Sequence, residues 1–101
     1  MRLLLFFDLP TLTAENRRNY VKFRKYLIKN GFIMLQESVY CKLALNTTVL
    51  NAIINNVKLN KPPEGLVDIL WVTEKQFSKL EMIVGERKQN VLDTDERLVI
   101  L

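Results

Sequence analysis

Short apolar runs alternate with amphipathic stretches along this chain, and the alternation lays out its elements. Leu3-Leu4-Leu5-Phe6-Phe7 leads into Asp8, Leu9 and Pro10. An unbroken apolar run of this length reads as a strand buried on both faces. Pro10 has no N–H for a ladder and biases Leu9 away from helix, so the strand ends there. Thr11 or Thr13 then caps a helix running to about Asn30, with Gly31 as its left-handed stop. At 100° per residue, Tyr20, Val21, Phe23, Leu27 and Ile28 share one arc, which is predicted to pack on a sheet. Phe32-Ile33-Met34-Leu35 and Val39-Tyr40-Cys41-Lys42-Leu43 read as two short strands, separated at Gln36-Glu37-Ser38 by a tight turn or a bulge. Asn46, Thr47 or Thr48 opens a second helix with Val49, Leu50, Ile53, Ile54 and Val57 as its core stripe. Its outer face carries Asn51, Asn55, Asn56 and the single charge Lys58, which suits a protein partner or solvent better than a polyanion.

After the turn Lys61-Pro62-Pro63-Glu64-Gly65, residues Leu66 to Val72 return as an apolar strand interrupted by Asp68. Thr73-Glu74-Lys75-Gln76 matches a capping box and opens one or two helical turns through Leu80. Met82-Ile83-Val84-Gly85 reads as another short strand, and Glu86 to Glu96 as a polar linker. The order strand, helix, strand, strand, helix, strand is the split βαβ, ferredoxin-like α+β arrangement: a four-stranded antiparallel sheet with two helices on one face. Residues 1–85 form this core, and 86–101 form a linker and a C-terminal strand. That strand, Arg97-Leu98-Val99-Ile100-Leu101, is apolar on both faces, and such an edge needs a partner. The linker is long enough for the tail to join the sheet of a second copy, giving a two-fold dimer by strand exchange; the alternative is a return to its own sheet edge.

Composition narrows the chemistry. A chain of 101 residues with 49% hydrophobic content is one folded domain, not a disordered segment. Its one cysteine, Cys41, rules out a disulfide framework and a cysteine zinc cluster, and reads as a small buried hydrophobe. With no histidine, histidine metal sites and nucleophile–histidine pairs are excluded. The N-terminal apolar run is too short to span a bilayer and lacks the flanks of a targeting segment, so a cytoplasmic location without membrane contact is expected.

The net charge of +4 is unevenly placed. Residues 1–30 hold seven Lys/Arg against Asp8 and Glu15, whereas residues 31–101 hold eight against nine acids. On the first helix Arg18, Lys22, Lys25 and Lys29 recur at i, i+4, i+7 and i+11 with no acid among them. Ordinary solvated faces mix signs, because like charges at this spacing repel; an unmixed row is better explained by a polyanion. The row spans roughly 16 Å, the reach of two or three successive phosphates. Arg17 and Arg24 point instead to the edge of the apolar arc and need an acceptor: Asp8, a helix-end carbonyl or a bound phosphate. Asp8, at the carboxyl end of the first strand, is either a turn-former or a group that handles metal or phosphate.

Taken together, Phe7-Asp8 at a strand end, Arg17-Arg18 opening a basic helix, Gly31, Gln36-Glu37-Ser38-Val39-Tyr40 and a small core with a detachable last strand resemble the Cas2 family, the second of the two universal CRISPR adaptation proteins. Val72-Thr73-Glu74-Lys75-Gln76-Phe77 and the Arg97–Leu101 ending look like the version that accompanies type II-A systems. The resemblance implies a symmetric dimer held between two dimers of the integrase, the first adaptation protein. That assembly captures short double-stranded DNA and inserts it in the CRISPR array. It also implies a second activity, a magnesium-dependent nuclease acting on RNA or DNA, with Asp8 as metal ligand. Two positions depart from the family pattern: Phe7 stands where the family often has Tyr, and Met34 where many members carry Arg.

Two functions follow from these readings. In the first, the helix row of Arg18, Lys22, Lys25 and Lys29, with Arg17 beside it, binds duplex backbone in a bridging, non-catalytic subunit; such contacts carry no sequence information. In the second, paired Asp8 carboxylates across a two-fold axis hold magnesium and assist phosphodiester cleavage, with no other acid expected nearby. A sequence-reading RNA-recognition module of the same fold would need strand aromatics of the RNP type, which none of these strands supplies.

Overall fold

The computed structural model describes residues 1–86, so the linker from residue 87 onward and the Arg97–Leu101 tail lie outside the described residues. The elements follow the order β1 (Arg2–Asp8), α1 (Ala14–Lys29), β2 (Ile33–Gln36), β3 (Val39–Leu43), α2 (Thr47–Leu59), β4 (Leu66–Val72) and α3 (Glu74–Phe77). The sheet order is β2-β3-β1-β4. β1 is central and antiparallel to both neighbours, with Leu5 opposite Tyr40 on β3 and Ile69 on β4. This is the ferredoxin-like α+β topology expected from the element order.

The polar break between β2 and β3 is both a turn and an irregularity. Glu37 and Ser38 make a two-residue turn, and the register shifts between Met34 and Gln36. The Ser38 carbonyl then accepts from Phe7 N–H at 3.0 Å, tying the turn to the far end of β1.

Leu3, Leu5, Phe7 and Leu9 face the helices and are buried with Phe23, Leu27, Leu50, Ile53 and Val57. Phe7 sits at the centre of the aromatic packing, with ring centroids 5.8 Å from Tyr20, 5.6 Å from Phe23 and 5.7 Å from Tyr40. α1 does not turn the expected arc toward the sheet. Val21 and Ile28 are about half exposed, and the buried stripe is Phe23 and Leu27, with Tyr20 and Tyr26 packed at its margin. The buried side is the one that meets the core, Phe23 against Phe7 with Leu27 beside it, and at its margin the Tyr26 hydroxyl donates to the Asn56 side chain of α2.

β1 is likewise not buried evenly on both sides. Its second face carries Arg2, Leu4, Phe6 and Asp8, and only the Arg2 end is covered, by α3. There the Arg2 guanidinium is 1% exposed, lies 4.4 Å from the Phe77 ring centroid and reaches both Glu74 carboxylate oxygens, at 2.7 and 3.2 Å. At the other end Phe6 is 37% exposed, and Leu66 and Leu70 opposite on β4 are more open still. The stretch Met82 to Gly85 is no strand; it is an exposed segment that bends at Ile83 to Gly85, and although β4 is an edge strand the segment does not pair with it.

Candidate nucleic-acid interface

Two local devices fix the orientation of α1. Thr13 caps the helix by accepting from Asn16 N–H at 3.0 Å, and the Asn16 side chain accepts from Thr13 N–H at 3.3 Å, closing a capping box with Asn in the third position. Asn16 Nδ2 also donates to Glu64 Oε1 at 3.1 Å, which pins the helix start to the loop before β4. At the far end Asn30 N–H and its side chain bond the Tyr26 carbonyl, and Gly31 follows at φ 85°. With Phe23 and Leu27 held inward, Arg18, Lys22, Lys25 and Lys29 all stand exposed on the opposite side, as the spacing predicted. Among the described residues no acid forms an ion pair with any of the four.

Arg17 and Arg24 take separate routes. Arg17 is exposed and not turned toward the sheet: its Nη1 donates to the carbonyls of Thr11 and Leu12, at 3.1 and 3.2 Å, in the segment ahead of the helix. Arg24 is half-buried beside the hydroxyl of Tyr40. Burial raises the Tyr40 pKa above its ordinary 10.0, and the Arg24 charge pulls it partly back. The two groups are close without meeting hydrogen-bond geometry, so the buried Tyr40 hydroxyl has no partner among the described residues. Neither arginine forms an ion pair with Asp8.

Asp8 is exposed at the end of β1, on the sheet face that the helices leave open. The register brings to it a residue that strand reading alone missed. Asp8 lies opposite Leu66 and Phe6 opposite Asp68, so Asp8 and Asp68 are diagonal neighbours on one face, on the order of 7–8 Å apart by backbone position. By sequence alone Asp68 is an interruption of an apolar strand. The signal that could have found it is the period of two on both strands, but that period needs the pairing register, which is a tertiary fact. Gly65 holds the approach of the two strands: at φ 97° a β-carbon there would lie 2.6 Å from the Asp8 carbonyl oxygen and 2.7 Å from Leu9 Cδ2. Both Asp8 and Asp68 are exposed carboxylates, the hard-oxygen type of group that magnesium accepts. Among the described residues no group of three or more His, Cys, Asp or Glu is gathered anywhere.

The fold and these surfaces define a small ferredoxin-like domain with an unpaired cationic helix on one side and a bare, partly apolar sheet face bearing two acids on the other. The family model for CRISPR associated protein Cas2 matches residues 1–80, and the chain belongs to that family. A Treponema denticola protein named CRISPR-associated endoribonuclease Cas2 is 61% identical over 101 residues, covering 100% of both chains. A Streptococcus mutans protein of the same name is 50% identical across 100% of this chain and 93% of its own. The crystal structure of Streptococcus pyogenes Cas2 superposes with a TM-score of 0.63 over 83% of this chain and 100% of that one; at 15% identity it speaks for the fold alone. No helix among the described residues is long and apolar enough to cross a membrane.

Proposed function

We propose that this chain is a duplex-DNA-binding subunit of CRISPR adaptation, acting as a homodimer that bridges two dimers of the integrase and holds the spacer precursor along α1. The observation that carries the reading is the exposed row Arg18, Lys22, Lys25 and Lys29, unmatched by any acid of the described chain. Four cations held at helical spacing repel one another, and a phosphate backbone is the partner that turns this cost into binding. Family membership supports the CRISPR setting. Dimer formation draws support from the open sheet face, where Phe6, Leu66 and Leu70 leave apolar surface uncovered in a single chain.

Two copies offer about eight such cations, so log affinity should fall against log salt with a slope of up to roughly −7 if all engage. The test is charge reversal of Lys22 and Lys25 together, read as duplex affinity across a salt series and as spacer capture in cells. Loss of both, with a shallower slope, is expected. An unchanged affinity and slope would reduce the row to a solvated surface.

A second reading, metal-dependent phosphodiester cleavage, draws support from the name endoribonuclease borne by relatives and from the placing of Asp68 beside Asp8. Magnesium would be held by Asp8 and Asp68, and when bound would polarise a substrate phosphate. The chain's own part is to hold two carboxylates on one face of the sheet, with Gly65 in close approach to the Asp8 carbonyl. Asp8→Asn should abolish magnesium-dependent cleavage of RNA or DNA by purified protein while leaving its circular dichroism and oligomeric state unchanged. Full activity in that variant would refute this reading without touching the first.

A further inference from the structure

The loop that joins α2 to β4 brings a second element up against the cationic side of α1. A groove of about 170 Å³ runs between them, with Asn19 and Lys22 on the α1 wall, Asn60 and Lys61 on the loop wall, and Pro62 and Pro63 between. A single water needs only about 10–15 Å³ of such space, so the groove has room for a phosphate group with part of its hydration.

Three features set the sign of this groove. No acidic side chain among the described residues lines it. Glu64, the acid next along the loop, is bonded to Asn16 and borders an adjoining small cavity that shares Asn19, Pro62 and Pro63 with the groove, without lining the groove itself. At the carbonyl end of α2, which would repel an anion, two of the last carbonyls are bonded within the chain: Asn60 N–H bonds the Val57 carbonyl at 3.0 Å and its Nδ2 bonds the Asn56 carbonyl at 2.9 Å. What remains as charge in the lining is two lysines from different elements, Lys22 of α1 and Lys61 of the loop, above an apolar floor of Phe23, Tyr26 and Leu59. The loop that carries Lys61 is stiffened by consecutive prolines, so holding that wall in place costs little entropy on binding.

From this geometry we infer that the groove is a second seat for nucleic-acid backbone: a phosphodiester group of the duplex leaves α1 at Lys22 and is clamped between Lys22 and Lys61. The inference rests on the α1 reading given above and extends it to a fifth cation, supplied by a different element. Lys22 borders both the open row and the groove, so it is the junction of the track.

The experiment uses the full chain and a fluorescein-labelled duplex of mixed sequence, with affinity measured across a sodium chloride series. The variants are Lys61→Gln, the Lys22/Lys25 charge reversal, and Lys58→Gln as control; Lys58 is exposed on α2 but does not line the groove. Lys61→Gln should weaken binding and make the salt slope shallower by about 0.9 per copy, about 1.8 for a dimer engaging both grooves. Lys58→Gln should leave both unchanged. A wild-type slope in Lys61→Gln, or an equal loss in Lys61→Gln and Lys58→Gln, overturns the groove. If the Lys22/Lys25 reversal is also without effect, the α1 reading falls with it; if that reversal weakens binding while Lys61→Gln does not, only the groove is lost.

Discussion

Replacing Gly65 by alanine is the sharpest test of how the strand-end site is held. Two costs combine. The backbone sits at φ 97°, where a side chain collides with its own peptide, and such a placement costs on the order of 1–3 kcal/mol. The new β-carbon would then lie 2.6 Å from the Asp8 carbonyl oxygen, an atom of the central strand that cannot swing away. Relieving that overlap requires β1 and β4 to part at the Asp8–Leu66 pair, an overpacking cost of about 1–3 kcal/mol. The total is roughly 2–6 kcal/mol, a large share of the margin of a domain this size.

Gly85 supplies the internal control. It sits at φ 102°, and a β-carbon there meets nothing within 4 Å. Gly85→Ala should therefore carry the backbone cost alone, and the difference between the two variants isolates the close approach to Asp8. Urea unfolding followed by circular dichroism measures both, with Gly65→Ala expected to lose at least about 1 kcal/mol more than Gly85→Ala. Equal losses would show that β4 does not press on Asp8, and the account of how that carboxylate is positioned would fail.

Other predictions concern the two ends of the core. Glu74→Gln takes the carboxylate from a guanidinium that is 1% exposed; because Glu74 itself is partly open, the loss should be about 1–3 kcal/mol, below that of a fully buried pair, and a variant as stable as the parent would mean that α3 does not clamp the sheet. Tyr40→Phe removes a buried hydroxyl that has no partner among the described residues, so the midpoint of urea unfolding should hold or rise, and a loss above about 1 kcal/mol would reveal a bond to Arg24 or a bound water. The same residue sets an alkaline limit. Its pKa is raised in the folded state, so its contribution is fully present below the unfolded value near 10 and is lost as pH climbs through the folded value; Tyr40→Phe should flatten that decline in a pH series of unfolding midpoints.

Much of the fold was legible because local rules and global packing agree. Pro10 ended β1, Thr13 and Asn46 capped the two long helices, and the capping box at Thr73 placed α3. The outward row on α1 was also legible, since four cations without an acid are visible as spacing alone. The rotation of α1 was not. An arc drawn through Val21 and Ile28 counts apolar residues but cannot see which of them meet the core; Phe23 and Leu27 do, Tyr26 reaches Asn56 of α2, and Val21 and Ile28 stay exposed.

By itself, then, the sequence determined which segments are strands and helices, their order, and the charge presented by one helix, because these depend on periodicity and on residues within a turn of each other. Tertiary structure decided what meets across elements. It placed Asp68 beside Asp8, packed Gly65 onto the strand end, buried Arg2 beneath α3 and set Lys61 across a groove from Lys22. Each of those contacts depends on a strand register or on a packing angle between helices. Neither quantity is written in any short window of the chain, because both are fixed only when distant apolar faces close on one another.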